Sequence, residues 1–205
     1  MGIMRFSVGV GLMPSCLDLY AGLGGASEAM VEARWDVIRV ENNPALSHVP
    51  HTKIADASWA YGLLSHEKFD LVWASPPCLE FSQAFNAPGP TAAREGRDFS
   101  PDLAQVEKAW HIIKWLKPRF WVIENVVGAI KHLEPLLGEP SQIIGSFVLW
   151  HNLPRIVVAR EFRHNKADND SWSSDPLRSN KKAKVPIEIS RAVIEAVMLP
   201  TLGDF

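Results

Sequence analysis

The sequence predicts an α/β fold with a mostly parallel central sheet, helices on both faces and an antiparallel hairpin at one edge. Three observations predict it. Short apolar runs at Cys16 to Tyr20, Asp36 to Val40, Leu71 to Ala74 and Phe120 to Ile123 read as strands buried on both faces. Helical patterns separate them, as parallel strand connections require. The runs end in glycines or reactive side chains, at Gly22 to Gly25, Glu41, Cys78 and Glu124, and ligands of parallel sheets collect outside the carboxyl ends of the strands.

Composition sets the bounds. At 205 residues, 47% hydrophobic and 21% charged, residues 1–205 suit a single domain with a sizeable core. No apolar run approaches the ~20 residues that span a bilayer, and Gly9, Gly11 and Pro14 break the segment 1–15, so a cytoplasmic protein with no membrane partner is expected. Phe6 to Val10 reads as a stray edge strand or a flexible lead and receives no role. A net charge of -2 lacks the global basicity common in nucleic-acid binders, so contact with a polyanion needs a local basic face. Cys16 and Cys78 belong to different predicted strands, one at the start and one past the end, too far apart for a disulfide if the strands are parallel neighbours. Cys16 reads as a buried small hydrophobe.

Taken in order, the first strand, Cys16 to Tyr20, leads into the turn Gly22-Leu23-Gly24-Gly25 and a helix from about Ala26 to Arg34. Such a turn lets backbone N–H groups approach a ligand, or lets strand and helix pack tightly. The second strand, Asp36 to Val40, ends in Glu41, where nucleotide-binding folds set the acceptor for a ribose hydroxyl. The third apolar run ends at Pro76 and Pro77, which fix the backbone and hold Cys78 in a rigid turn as a candidate nucleophile. Residues 83–100 read as a long mobile binding loop whose Arg94 and Arg97 meet phosphates.

Ser100 as N-cap, Pro101 and Asp102 then open a helix with an apolar face of Leu103, Val106, Trp110, Ile113 and Leu116, stopped by Pro118. Phe120 to Ile123 delivers Glu124 and Asn125 to the sheet edge that carries Cys78. Desolvation at the end of an apolar strand raises a carboxyl pKa, which lets Glu124 hold a proton near neutrality. Ile143 to Leu149 suggests one strand and Arg155 to Ala159 its antiparallel partner. Residues 161–186 read as a surface loop or a vestigial recognition region. Within and beside it, Arg160, Arg163, Lys166, Arg178, Lys181, Lys182 and Lys184 form the best local basic patch, diluted by Asp168, Asp170 and Asp175. Ser190 to Met198 closes the chain as an amphipathic helix.

Ser75-Pro76-Pro77-Cys78-Leu79-Glu80-Phe81-Ser82 resembles the Pro-Cys motif of the cytosine carbon-5 DNA methyltransferases. Asp18-Leu19-Tyr20-Ala21-Gly22-Leu23-Gly24-Gly25 resembles that family's S-adenosylmethionine loop, and Trp121-Val122-Ile123-Glu124-Asn125-Val126 its Glu-Asn-Val motif. The ordered set, over roughly residues 16–160, carries the resemblance. It implies a Rossmann-like S-adenosylmethionine-dependent methyltransferase fold and S-adenosyl-L-methionine as cofactor. By resemblance Tyr20, Gly22, Leu23, Gly25, Glu41, Asp56, Ala57 and Pro77 bind that cofactor, with Asp56 accepting from the adenine amino group.

The same resemblance makes Cys78 the nucleophile, Glu124 the acid on the base and Arg155 a base contact and the source of positive influence on the thiol. Ser82, Arg94 and Arg97 would touch nucleic acid, and no metal is implied. The expected partner is DNA, duplex or single-stranded, with a specificity partner or a homo-oligomer left open. The chain departs from the family at Asn42, where an aromatic is usual, at Leu153, which replaces an arginine, and in the last motif, whose Gly-Asn pair is missing. Only about 25 residues separate Arg160 from Pro186, so the chain looks like a miniature, phage-like branch without a large target-recognition domain. Methylation of cytosine in RNA or free nucleotide, and a non-catalytic cofactor- or DNA-binding module, are the alternatives.

Overall fold

The computed structural model describes residues 13–62, 69–159, 162 and 174–199. Seven strands form one sheet: β1 (Ser15–Leu19), β2 (Asp36–Glu41), β3 (Thr52–Ile54), β4 (Leu71–Ala74), β5 (Phe120–Val126), β6 (Gln142–Ile144) and β7 (Phe147–His151). Their spatial order is β3-β2-β1-β4-β5-β7-β6. The first five run parallel, whereas β7 is antiparallel to β5 and β6 to β7. This is the Rossmann-like, mostly parallel sheet with an antiparallel edge hairpin that the sequence predicts.

The pleat divides the core in two. On β4, Leu71 and Trp73 pack with α1 (Glu28–Glu32) and α6 (Ile187–Met198), while Val72 and Ala74 pack on the other face with α3 (Ala104–Leu116) and α4 (Ile130–Leu137). All four β4 side chains are fully buried, which explains why this strand reads as an unbroken apolar run. The chain winds outward from β1 to β3 and then returns to β4 and β5 on the other side. The winding therefore reverses between β1 and β4, and an open α/β sheet forms its ligand crevice outside the carboxyl ends at that point.

Several expectations are corrected. Residues 83–100 are not a structureless loop, because α2 (Pro88–Arg94) lies within them with proline in its first turn, a position that needs no N–H donor. α3 starts at Ala104 rather than beside Ser100, and Asp102 Oδ1 accepts the Ala104 N–H at 2.8 Å. α1 is shorter than residues 26–34; its N-cap Ser27 makes no cap bond, since its hydroxyl is engaged elsewhere. The edge hairpin turns at Gly145, φ +61, inside the stretch read as a single strand, and residues 155–159 form no strand. α5 (Arg178–Ala183) lies in the stretch read as a surface loop. Phe6 to Val10, Arg160, Arg163 and Lys166 lie outside the described residues. Among the described residues, no helix is long and apolar enough to cross a membrane.

Candidate active site

Three strand ends set one wall of the crevice. β1 leads into a turn with Tyr20 at φ +58, Gly22 at +53 and Gly24 at +75, and only glycine adopts such angles freely. Glu41, at the end of β2 and 8% exposed, clamps this turn: Oε2 accepts from Gly22 N at 2.9 Å and Oε1 from Asn43 N at 2.9 Å. Glu41 is level with Ile54 of β3, so Asp56 follows two residues past the neighbouring strand end. Gly22, Glu41 and Asp56 thus form a row along β1, β2 and β3. Gly22 and Leu23 are partly exposed, while Ala57 is buried.

Asp56 is exposed and held by the Ser58 N–H at 2.9 Å and by Lys108 Nζ at 3.1 Å from both oxygens. The bonds from Ser58, then the ammonium of Lys108, hold its carboxyl down at about 2. The Tyr20 hydroxyl reaches α3, donating to the Gln105 carbonyl at 3.1 Å, and burial pushes this phenol up. Gly25 serves tight packing, because a Cβ there would stand 2.3 Å from the Val185 carbonyl oxygen. Asn180 of α5 lies 3.8 Å from where a Gly22 Cβ would sit, an ordinary van der Waals contact.

Under the turn lies a buried polar network absent from the sequence reading. Asp18 is fully buried, and its Oδ2 accepts from Ser27 Oγ at 2.7 Å. Arg39 donates from Nε to the same Oγ at 2.8 Å, from one terminal nitrogen to the Gly24 carbonyl at 2.9 Å and from the other to the Pro50 carbonyl at 3.0 Å. Among the described residues, Asp18 Oδ1 is buried with no hydrogen-bond partner. Burial raises the Asp18 carboxyl to about 6, against the pull of Ser27 and Arg39. The signal was present: two opposite charges interrupt two predicted apolar strands, and the register sets Asp18 beside Arg39. Cys16, 0% exposed, is the buried hydrophobe expected, and burial pushes its thiol well up.

The second wall is the turn after β4. Pro76 is buried, Pro77 exposed and Cys78 half-buried. The Cys78 carbonyl accepts from Phe81 N at 3.0 Å, closing a 3-10 turn over Leu79–Phe81. Ala74 of β4 is level with Ile123 of β5, so Glu124 leaves the register one residue beyond, three residues before Cys78 on the adjoining strand. Glu124 is 7% exposed and Asn125 1%. Asn125 Nδ2 donates to the Pro76 carbonyl at 3.2 Å. A Cβ on Gly128 would stand 2.1 Å from the Phe81 carbonyl oxygen, so the two turns lie backbone against backbone.

The structure therefore brings the Cys78 turn and Glu124 together and leaves Arg155 apart. β7 runs antiparallel, so His151 pairs with Val122, on the far side of Glu124 from the crevice, and Arg155 follows it. Arg155 is exposed and lines a separate pocket of about 450 Å³ with Ser141, Gln142, His151 and Leu153. The remaining predicted contacts are engaged within the loop: Ser82 Oγ accepts from Ala84 N at 3.2 Å, Arg94 lies 3.8 Å from the Phe85 ring centroid, and Arg97 pairs with Glu95. Among the described residues no cluster of His, Cys, Asp and Glu could hold a metal ion.

No protein-family model matches the chain, and no curated protein does. Many solved chains are similar to it, among them two methyltransferases. One is a candidate DNA modification methyltransferase encoded within a prophage (E. coli), with 21% identity and TM-score 0.39 over 59% of this chain and 34% of that one. The other is a SAM-dependent methyltransferase from Agrobacterium tumefaciens, with 12% identity and TM-score 0.43 over 68% of this chain and 55% of that one. The chain thus spans about a third of the length of the first and about half of the second. Superpositions this loose add nothing to the strand order, on which the fold assignment stands.

Proposed function

We propose that the chain transfers a methyl group from S-adenosyl-L-methionine to carbon 5 of cytosine in DNA. The observation that carries this reading is the Asn125–Pro76 hydrogen bond, which joins a thiol-bearing turn to an acid-bearing strand at the point where the sheet's winding reverses. Glu41 and Asp56 fit the cofactor: each Glu41 oxygen keeps a lone pair beyond its backbone bond, and Asp56 stands exposed at the end of the same row. Gly22 and Leu23 would hold its amino-acid end, Glu41 its ribose and Asp56 its adenine amino group. Bound S-adenosylmethionine supplies an electrophilic methyl group.

Carbon 5 of cytosine is a weak nucleophile until a nucleophile adds to carbon 6, which breaks the carbon 5–carbon 6 π bond and shifts its electron pair toward carbon 5. The Cys78 thiolate bonds to carbon 6, and protonated Glu124 bonds to ring nitrogen 3 and the 4-amino group, stabilising the charge that builds there. Once carbon 5 carries the methyl group, a base removes its proton and the electron pair expels Cys78 as thiolate. Asn125 positions the turn and does not touch the base. The target must first leave the stack, at a cost of a few kcal/mol in duplex and less in single strands.

Capture on DNA containing 5-fluorocytosine tests the reading, because fluorine cannot leave as a proton does and the adduct persists. Wild type should form a covalent complex in the presence of cofactor, and Cys78→Ser should form none while still binding S-adenosylmethionine. Full turnover by Cys78→Ser would remove the thiol from the reaction. Competition among duplex DNA, RNA and dCMP separates this substrate from cytosine in RNA or free nucleotide.

A further inference from the structure

We infer that Lys108 completes the adenine site by donating to ring nitrogen 1 of S-adenosyl-L-methionine, beside the amino group that Asp56 accepts. The inference rests on the cofactor reading and adds to it a residue of α3, outside every motif that carries the resemblance. Lys108 Nζ stands 3.1 Å from both Asp56 oxygens. A donor and an acceptor therefore lie side by side at the end of the row formed by Gly22, Glu41 and Asp56.

Two contacts fix α3 in this place. Its first turn is tied to the end of β1, where the Tyr20 hydroxyl meets the Gln105 carbonyl at 3.1 Å and Gln105 Oε1 at 3.2 Å. Lys108 follows Gln105 by three residues and shares its flank of the helix. α3 also packs on the 3-10 turn Ala57–Gly62, which begins directly after Asp56. The helix thus spans the row from β1 to β3, and Lys108 is the cation it sets at the far end.

As a stabilising contact the pair counts for little. Lys108 keeps 27% of its side-chain surface in water and Asp56 49%, and ion pairs this open contribute little to stability. The same openness leaves both charged heads within reach of a ligand. The ammonium carries three N–H groups and directs at most two of them to Asp56, so among the described residues at least one has no acceptor. Ser58 N holds Asp56 Oδ1 at 2.9 Å, which fixes the carboxylate on its own loop.

Adenine matches this pair. Its amino group donates and its ring nitrogen 1 accepts, and both are bonded to carbon 6, so one edge of the ring shows a donor beside an acceptor. Asp56 and Lys108 show the complementary order. Bonds from an ammonium or to a carboxylate are stronger than those between neutral groups, and the loss of water on binding strengthens them further.

Calorimetry on the full chain tests the inference through a cycle between residue and ligand. Wild type and Lys108→Met are each titrated with the product S-adenosylhomocysteine and with its 1-deaza analogue, in which C–H replaces ring nitrogen 1 and the amino group stays. Wild type should bind the analogue roughly 10- to 100-fold more weakly than S-adenosylhomocysteine. Lys108→Met should lose a similar factor for S-adenosylhomocysteine and bind the two ligands within about twofold of each other, because the nitrogen no longer has its donor. Equal urea midpoints for the two proteins exclude loss of fold as the cause. An analogue penalty just as large in Lys108→Met overturns the inference, since another group then donates to the nitrogen, and so does a wild type indifferent to the analogue. Failure of wild type to bind S-adenosylhomocysteine overturns the cofactor reading instead, and is seen before any variant is made.

Discussion

Asn125 Nδ2 donates to the Pro76 carbonyl oxygen across 3.2 Å, and its Oδ1 accepts the Val126 N–H at 2.9 Å, so one buried amide ties the end of β5 to the turn that carries Cys78. Pro76 cannot adjust by rotating φ, and its carbonyl is buried with it. Asn125→Ala should therefore leave that carbonyl without its partner at a cost of about 1–3 kcal/mol, and release the thiol from its position. Urea unfolding should report the first effect. Single-turnover methylation should report the second as a fall of about 10-fold or more, with cofactor affinity unchanged.

Gly128 makes the companion contact by having no side chain. A Cβ 2.1 Å from the Phe81 carbonyl oxygen would force the two turns apart, since backbone stands on both sides. Gly128→Ala should destabilise the protein by about 1–3 kcal/mol and depress methyl transfer further than stability alone accounts for. Gly62→Ala is the control: among the described residues nothing lies within 4 Å of its added methyl group, and the change should stay within about 0.5 kcal/mol.

Those two contacts also mark where sequence reasoning stops. β1, β2, β4 and most of β5 were legible because burial on both faces leaves continuous apolar runs, and the alternation of strands and helices carried the fold class. β3 has three residues, too few to show a period. The hairpin was misread because a single positive-φ glycine, Gly145, splits what looks like one strand. Cys78 and Glu124 were legible as strand-end residues, and the register sets their strands side by side. Arg155 was displaced because its position depends on the direction of β7, which no local pattern encodes. The Asp18–Arg39 pairing likewise needs the register of two parallel strands.

Arg39 holds the glycine turn through three divergent hydrogen bonds, to Ser27 Oγ, the Gly24 carbonyl and the Pro50 carbonyl, all from one planar guanidinium. Lysine presents a single point charge and cannot span those acceptors. Arg39→Lys should raise the Kd for S-adenosylmethionine at least about tenfold by calorimetry, through loss of preorganisation rather than of a ligand contact. Arg39→Ala removes the cation beside a buried carboxylate and should cost about 3–5 kcal/mol of stability.

Asp18 gives the protein a pH dependence of definite sign. Burial lifts its carboxyl from 3.8 to about 6, so between those values the folded state binds more proton than the unfolded chain. Stability therefore falls as pH rises from about 4 to about 6 and is level above that window, because the charged form is buried with Oδ1 unpartnered. At ~1.4 kcal/mol per pH unit, the loss across the window is on the order of 3 kcal/mol. Asn at this position keeps an acceptor for Ser27 and has nothing to titrate. Urea midpoints taken between pH 4 and 7 should decline for wild type and stay flat for Asp18→Asn; parallel curves would assign the dependence to another group.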